Sequence, residues 1–531
     1  MAPENPNFSP AQDSGSLDTI VLSALTAGVS ILALVFYYRH NAILLYGDAV
    51  AHINIARRVF DSRTPGLFEL GTVWLPLPHV LDIPFIVNQR LWQTGLGASI
   101  PSMLAYIAGT LGVFRLVRGM ASRLAAWTAA LIFALNPNLL YMQATAMTEA
   151  LYLALFIWAV VYFAEFCRGV EQGAAASRRA LEKCGLLLAA AMLVRYDGWF
   201  QAAVIFIAAI MRIWRAWPLA RTLRRGLLSY LLLTGAVAVL WLAYNYAGYG
   251  NPLEFANGPY SAKAIQQRSW TPTWTSYPGE NSPRTATLYF LKAAGLSLGE
   301  DKGEYLLFSI AFVGLLCVFF FARRFLPWAL LWTPLIFYPV CIAWGSVPLY
   351  VPQWWPFGYY NLRYGLQMLP AAAVFAALMV EFSGNLFPRS RIRAAAAVLT
   401  VAAWSYGSVW SRTPIMLREA EVNGTARMHF ERQLAGELKK LPASATIMMD
   451  CSAYSGAVQA AGIPFRRVLR ESNPPQWEVA LTQPAESADY IVAIGQDAVA
   501  SSVRLYPQRL RRIALVGASD GLHASIYRAA R

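Results

Sequence analysis

Long apolar runs separated by short polar connections fill the chain as far as about residue 411. A helix needs about 20 mostly apolar residues to cross the hydrocarbon core of a bilayer. About eleven segments qualify, near 18–38, 100–119, 123–142, 148–166, 183–197, 198–214, 227–247, 304–323, 326–345, 361–382 and 393–411. The pair from 183 to 214 is the least regular, because Arg195 and Asp197 interrupt it. Two connections are long, 39–99 and 248–303. Within the first, Asp48 to Phe60 carries apolar residues at 50, 53, 56, 59 and 60, the spacing of an amphipathic helix fit to lie on a membrane surface. Beyond 411 the texture changes. Helix-like stretches at 412–440, 455–462, 475–482 and 497–506 alternate with short apolar runs at 445–449, 490–494 and 513–516, the pattern of a small α/β domain. The expected architecture is a polytopic α-helical membrane protein with about 11 transmembrane helices and a small C-terminal α/β domain. Its parts are a tail over 1–17, a membrane domain over 18–411 and the α/β domain over 412–531.

Composition agrees. The chain is 57% hydrophobic and 14% charged, against about a quarter charged for an ordinary soluble domain. The formal net charge of +15 raises nucleic acid as a partner. Much of it, however, lies in arginine clusters between apolar segments: 115/118/123, 168/178/179, 212/215/221/224/225, 323/324 and 389/391/393. They occupy every second connection, and the positive-inside rule then places them in the cytoplasm. The N-terminus is expected to be cytoplasmic, and both long loops and the C-terminal domain extracytoplasmic. Arg39 and His40 after the first span argue the other way, and five later clusters outvote them. The five cysteines are scattered and form neither a disulfide framework nor a metal-ligand pair.

With that topology, the residues able to do chemistry share one side. Asp48 opens the amphipathic helix, where a carboxylate serves equally as a cap or as a catalytic group. His52 follows one turn later, and His79 ends the run Trp74-Leu-Pro-Leu-Pro-His79. Glu149 opens a span, where helix-start chemistry also explains it. Arg195-Tyr196-Asp197 and Asn361-Leu-Arg363-Tyr364 stand at span ends. A charge in a span costs about 2.5–3.5 kcal/mol, so these arginines are either snorkelling or ion-paired, Arg195 with Asp197, or they bind an anion. The guanidinium fork matches the phosphate oxygens of a lipid-phosphate substrate. Trp270, Trp274 and Tyr277 in the second long loop suit stacking on a sugar.

Taken together these elements resemble the GT-C glycosyltransferases, integral-membrane enzymes that use polyprenyl-phosphate-linked sugars, and within them the protein O-mannosyltransferase and aminoarabinose-transferase branch. The resemblance covers roughly 15–411. It rests on the order and spacing of Gly47-Asp48, Leu75-Pro-Leu-Pro-His79, Asn136-Pro137, Glu149, Arg195-Tyr196, Gly250-Asn-Pro-Leu-Glu-Phe255 and Arg363-Tyr364 with Pro370. It implies a GT-C-like fold and an inverting transfer of a sugar from a polyprenyl-phosphate carrier to an extracytoplasmic lipid, glycan or protein acceptor. Asp48 would be the general base. Arg195, Arg363 and His79 would hold the donor phosphate, and His52, Glu149, Tyr196, Tyr364 and Trp270 would line the substrate site. The expected setting is a prokaryotic plasma membrane. No cofactor is required by these residues, and no ligand cluster supports a divalent metal, which the resemblance leaves open. A membrane transporter or lipid flippase is the main alternative, and it requires ionisable groups near mid-span. A phosphoglycerol-type transferase would need a metal cluster in a large outer domain, which 412–531 lacks.

Overall fold

The computed structural model describes residues 15–172, 174–214, 220–269, 276–321, 326–387, 389–517 and 521–530. Among them, nine helices are long and apolar enough to cross a membrane, from Ser16–Arg39 to a long element over Ser390–Leu438. The protein is an integral membrane protein of mostly helical fold with a small C-terminal sheet domain.

Two of the eleven expected spans are not among the nine, and each has a local cause. The 123–142 segment is broken at Asn136-Pro137. Proline cannot continue the hydrogen-bond ladder, and the Asn136 side chain accepts from the backbone N–H of Leu139, starting a new helix over Pro137–Met142. What precedes it, Arg123–Ala134, is 12 residues long, about 18 Å of helix against a core of about 30 Å. The 183–197 segment belongs to a helix over Ala174–Met192, which begins among Arg178 and Arg179 and is therefore more polar. It ends before Arg195. That residue and Tyr196 lie in the turn leading to the next helix, Asp197–Trp214, so neither interrupts a span. Arg363 likewise stands on a 3-10 turn, Leu362–Met368, ahead of the apolar helix Leu369–Leu386.

The amphipathic segment is a helix, Gly47–Arg58, and most of it packs on protein. Eight of its twelve residues are buried, between the Leu77–Ile86 helix on one side and Ser455–Ala461 of the C-terminal domain on the other. Its polar face is matched by polar partners. Asn54 donates to Gln459 Oε1 and Ser455 Oγ and accepts from Trp92 Nε1, while Arg57 pairs with Asp61 and stacks over the Trp92 ring.

The C-terminal domain has a five-stranded sheet in the order β2-β1-β3-β5-β4, with β1 Ile447–Met449, β2 Val468–Leu469, β3 Tyr490–Ile494, β4 Leu510–Gly517 and β5 His523–Ala529. The first three are parallel and the last pair antiparallel. The expected runs correspond to β1, β3 and part of β4, whereas β2 and β5 fall outside them. β2 has only two residues, too short to show a period. The Ile415–Leu438 helix links the sheet to the helical part, and at Gly424 it passes so close to Leu45 that a Cβ would stand 1.9 Å from the Leu45 carbonyl oxygen.

Candidate active site

A cavity of about 1600 Å³ opens where the 39–99 connection, several span ends and the C-terminal domain meet. Its floor is an ion-pair network built on two arginines. Arg363 donates from Nη2 to Asp48 Oδ2 at 2.7 Å, and its Nε and Nη1 stand 3.3 Å from Glu149 and 3.4 Å from Glu419. Arg195 contacts Glu149 and Asp197, both at 3.1 Å, and donates to Thr148 Oγ1 and Tyr338 Oη. Tyr338 in turn donates to Asp197 at 2.6 Å. The Tyr364 ring lies 5.4 Å from each guanidinium. Four carboxylates thus face two guanidinium groups. Asp48 is the exposed member, its side chain 38% accessible where that of Arg363 is 13% and that of Glu149 is 0%.

The sequence-predicted residues are distributed unevenly over this site. Asp48, His52, Glu149, Arg195, Tyr196, Arg363 and Tyr364 all line the cavity. The N-cap position before Gly47–Arg58 belongs to Tyr46, and Asp48 spends its carboxylate on Arg363 instead of the helix end. Arg195 and Asp197 do form the pair that their spacing suggested. Tyr196 bonds to the Val73 carbonyl and stacks on Phe255 at 5.2 Å, which draws the 250–255 motif to the cavity wall. His79 departs from expectation. It is fully buried and stands behind His52, whose Nδ1 is 2.8 Å from its Nε2, so it reaches the cavity only through that ring. Burial drives both imidazoles toward the neutral form, His52 to about 4, with Arg363 and Arg195 opposing the pull of Asp48. Trp270 and Trp274 lie outside the described residues, while Tyr277 lines the cavity.

Sequence reasoning missed Glu419, Tyr338 and an outer group. Glu419 follows the buried run Ile415-Met416-Leu417 on the Ile415–Leu438 helix, and that apolar stripe was the one available signal. The outer group comes from the carboxyl ends of β1 and β2. Cys451, Ser452, Glu471 and Ser472 face the cavity there beside Arg58 and Glu69. Buried Arg470 donates to Glu69, tying the sheet to the first long connection. Burial lowers the Arg58 pKa to about 10, helped by the like charge of Arg470. Among the described residues no group of three or more His, Cys, Asp or Glu side chains is placed to hold a metal ion.

No family model matches the sequence, and no curated protein matches it. Solved structures do. ArnT from Cupriavidus metallidurans, bound to undecaprenyl phosphate, superposes with a TM-score of 0.62 at 14% identity, covering 96% of this chain and 98% of that one. The apo form of the same protein gives 0.61 at 13% identity over 97% and 98%. The two share one fold with this chain along nearly their whole lengths, the GT-C fold expected from the sequence motifs.

Proposed function

We propose that the protein is an inverting glycosyltransferase that moves a sugar from a polyprenyl-phosphate carrier to a hydroxyl- or amine-bearing acceptor on the extracytoplasmic side. The observation that carries this reading is the Asp48–Arg363 contact at the cavity floor, a partly exposed carboxylate resting on a largely buried guanidinium. The fold shared with a protein solved bound to undecaprenyl phosphate supports the donor class.

The donor phosphate exchanges for Asp48 on Arg363, because Asp48 is the exposed partner and the other carboxylates are held from below. That exchange does two things. It places a planar N–H fork on the phosphate oxygens, and it frees Asp48 to face the acceptor. Asp48 takes the proton as the acceptor oxygen or nitrogen forms its bond to the anomeric carbon. The bond from that carbon to the phosphate oxygen breaks, and the electron pair leaves with the polyprenyl phosphate. Charge gathering on the phosphate meets Arg363, with Arg195 behind it, in a site that needs no reorganisation. Glu149 touches both guanidinium groups and keeps them apart at a fixed spacing. The acceptor enters through the outer end of the cavity, between Tyr260 and the strand ends of the C-terminal domain.

The test is sugar transfer or donor hydrolysis from polyprenyl-phosphate hexoses by purified protein in liposomes, wild type beside Asp48→Asn. A general base contributes about 10²–10⁴ in rate, and a loss of that size is expected. A loss below about threefold overturns the assignment of Asp48.

A further inference from the structure

His52 and His79 form a buried pair with one unassigned proton on each ring, and their surroundings decide where those protons sit. His79 is wholly buried on the Leu77–Ile86 helix, and among the described residues its Nδ1 has no hydrogen-bond partner. Its Nε2 faces His52 Nδ1 at 2.8 Å. A neutral imidazole carries one N–H and one bare nitrogen. If His52 Nδ1 were the donor, the His79 proton would sit on Nδ1, buried with no acceptor. If His79 Nε2 is the donor, the unpartnered Nδ1 is only a bare lone pair. Orphaned buried N–H groups are rarer than under-used acceptors, so the second arrangement holds. It leaves the His52 proton on Nε2, the ring nitrogen not engaged by His79, in a residue that lines the cavity. Trp74 lies against the ring at 4.7 Å between centroids and limits its rotation.

We propose that His79 is a positioning residue that fixes His52 as its Nε2–H tautomer, so that His52 presents a neutral N–H donor to an anionic oxygen of the donor phosphate bound beside Asp48. The inference rests on the function proposed above. Its chemistry differs from that of the arginines. Both guanidinium groups are already engaged by carboxylates, whereas among the described residues no acceptor holds the His52 Nε2–H, and the ring carries no charge of its own. It adds a hydrogen bond to the phosphate without competing for Asp48. The charged groups acting on His52 are Asp48, Arg363 and Arg195; His79 has the titratable ring of His52 and the charge of Arg58 beside it. Burial keeps both rings neutral around pH 7.

Nitrogen-15 spectra of the full-length protein labelled at its five histidines, with His52 assigned by its loss in His52→Gln, read the tautomer directly. The expected result is a protonated Nε2 and a bare Nδ1 at His52. The second measurement is binding of a polyprenyl phosphate. His79→Asn is too short to reach His52 and should weaken binding by about three- to tenfold, the size of one neutral hydrogen bond. His79→Gln, whose amide N–H replaces the Nε2–H, should restore most of it. A protonated Nδ1 at His52, or equal binding by wild type and both His79 variants, overturns the inference. Wild-type protein that shows the Nε2–H signal but binds no polyprenyl phosphate overturns instead the function on which the inference rests.

Discussion

Arg363 shows what a single side chain contributes here and why a lysine cannot replace it. Its three nitrogens stand near Asp48, Glu149 and Glu419, a geometry set by the planar fork. An ammonium offers one point of charge and cannot meet all three carboxylates at once. Glu149 would keep Arg195 and Glu419 the Asn361 N–H, while the contact to Asp48 is the one most easily lost. Arg363→Lys is expected to lower turnover on polyprenyl-phosphate donors by about ten- to a hundredfold, the worth of one charge-assisted hydrogen bond. The readout is kcat/KM in liposomes beside the melting temperature. Activity within about twofold of wild type would remove Arg363 from the proposed phosphate site. The sequence marked Arg195 and Arg363 as candidates because a charge at a span end is costly, and Asp48 and Glu149 as acids that open helices on the same side. It could not show that Asp48 and Arg363, 315 residues apart, touch. Nor could it set His79 behind His52, since both sit in one polar connection and only packing decides which faces the cavity.

At the scale of elements, Gly47–Arg58 was legible as a helix from its period, and its bed was not. A stripe of apolar residues is equally consistent with a membrane surface or a protein groove, and the choice depends on Trp92, Ser455 and Gln459, residues far away in the chain. The broken span at Asn136-Pro137 carries a proline signal in the sequence, yet hydropathy alone runs through it. The close crossing at Gly424 left no pattern at all. A methyl group there would meet the Leu45 backbone, which side-chain rotation cannot relieve. Gly424→Ala is therefore expected to destabilise the protein by about 1–3 kcal/mol through overpacking. Thermal unfolding in detergent measures it, and an unchanged midpoint would mean that the Ile415–Leu438 helix shifts freely.

For the whole molecule, the decisive joint lies between the 39–99 connection and the C-terminal sheet. Arg470 is fully buried and donates to Glu69, Asn473 donates to Thr64, and Gln89 reaches the Gly462 carbonyl. Glu69→Gln removes the nearer of the two carboxylates that face the buried Arg470 guanidinium, leaving Glu471 at 3.9 Å. It is expected to cost up to about 3–5 kcal/mol, whereas Glu69→Leu with Arg470→Met is expected to cost less. Denaturation of both variants in one detergent compares them, and a double variant as unstable as the single one would show that the pair acts through packing. The joint also bears on how such proteins diversify. A C-terminal domain with an independent hinge could be exchanged between lineages by recombination near residue 412. Here its footing is spread over a connection 373 to 401 residues upstream of the residues it holds. A chimera joined at one point would inherit half of each contact, so the two stretches are expected to change by paired substitutions, inherited together.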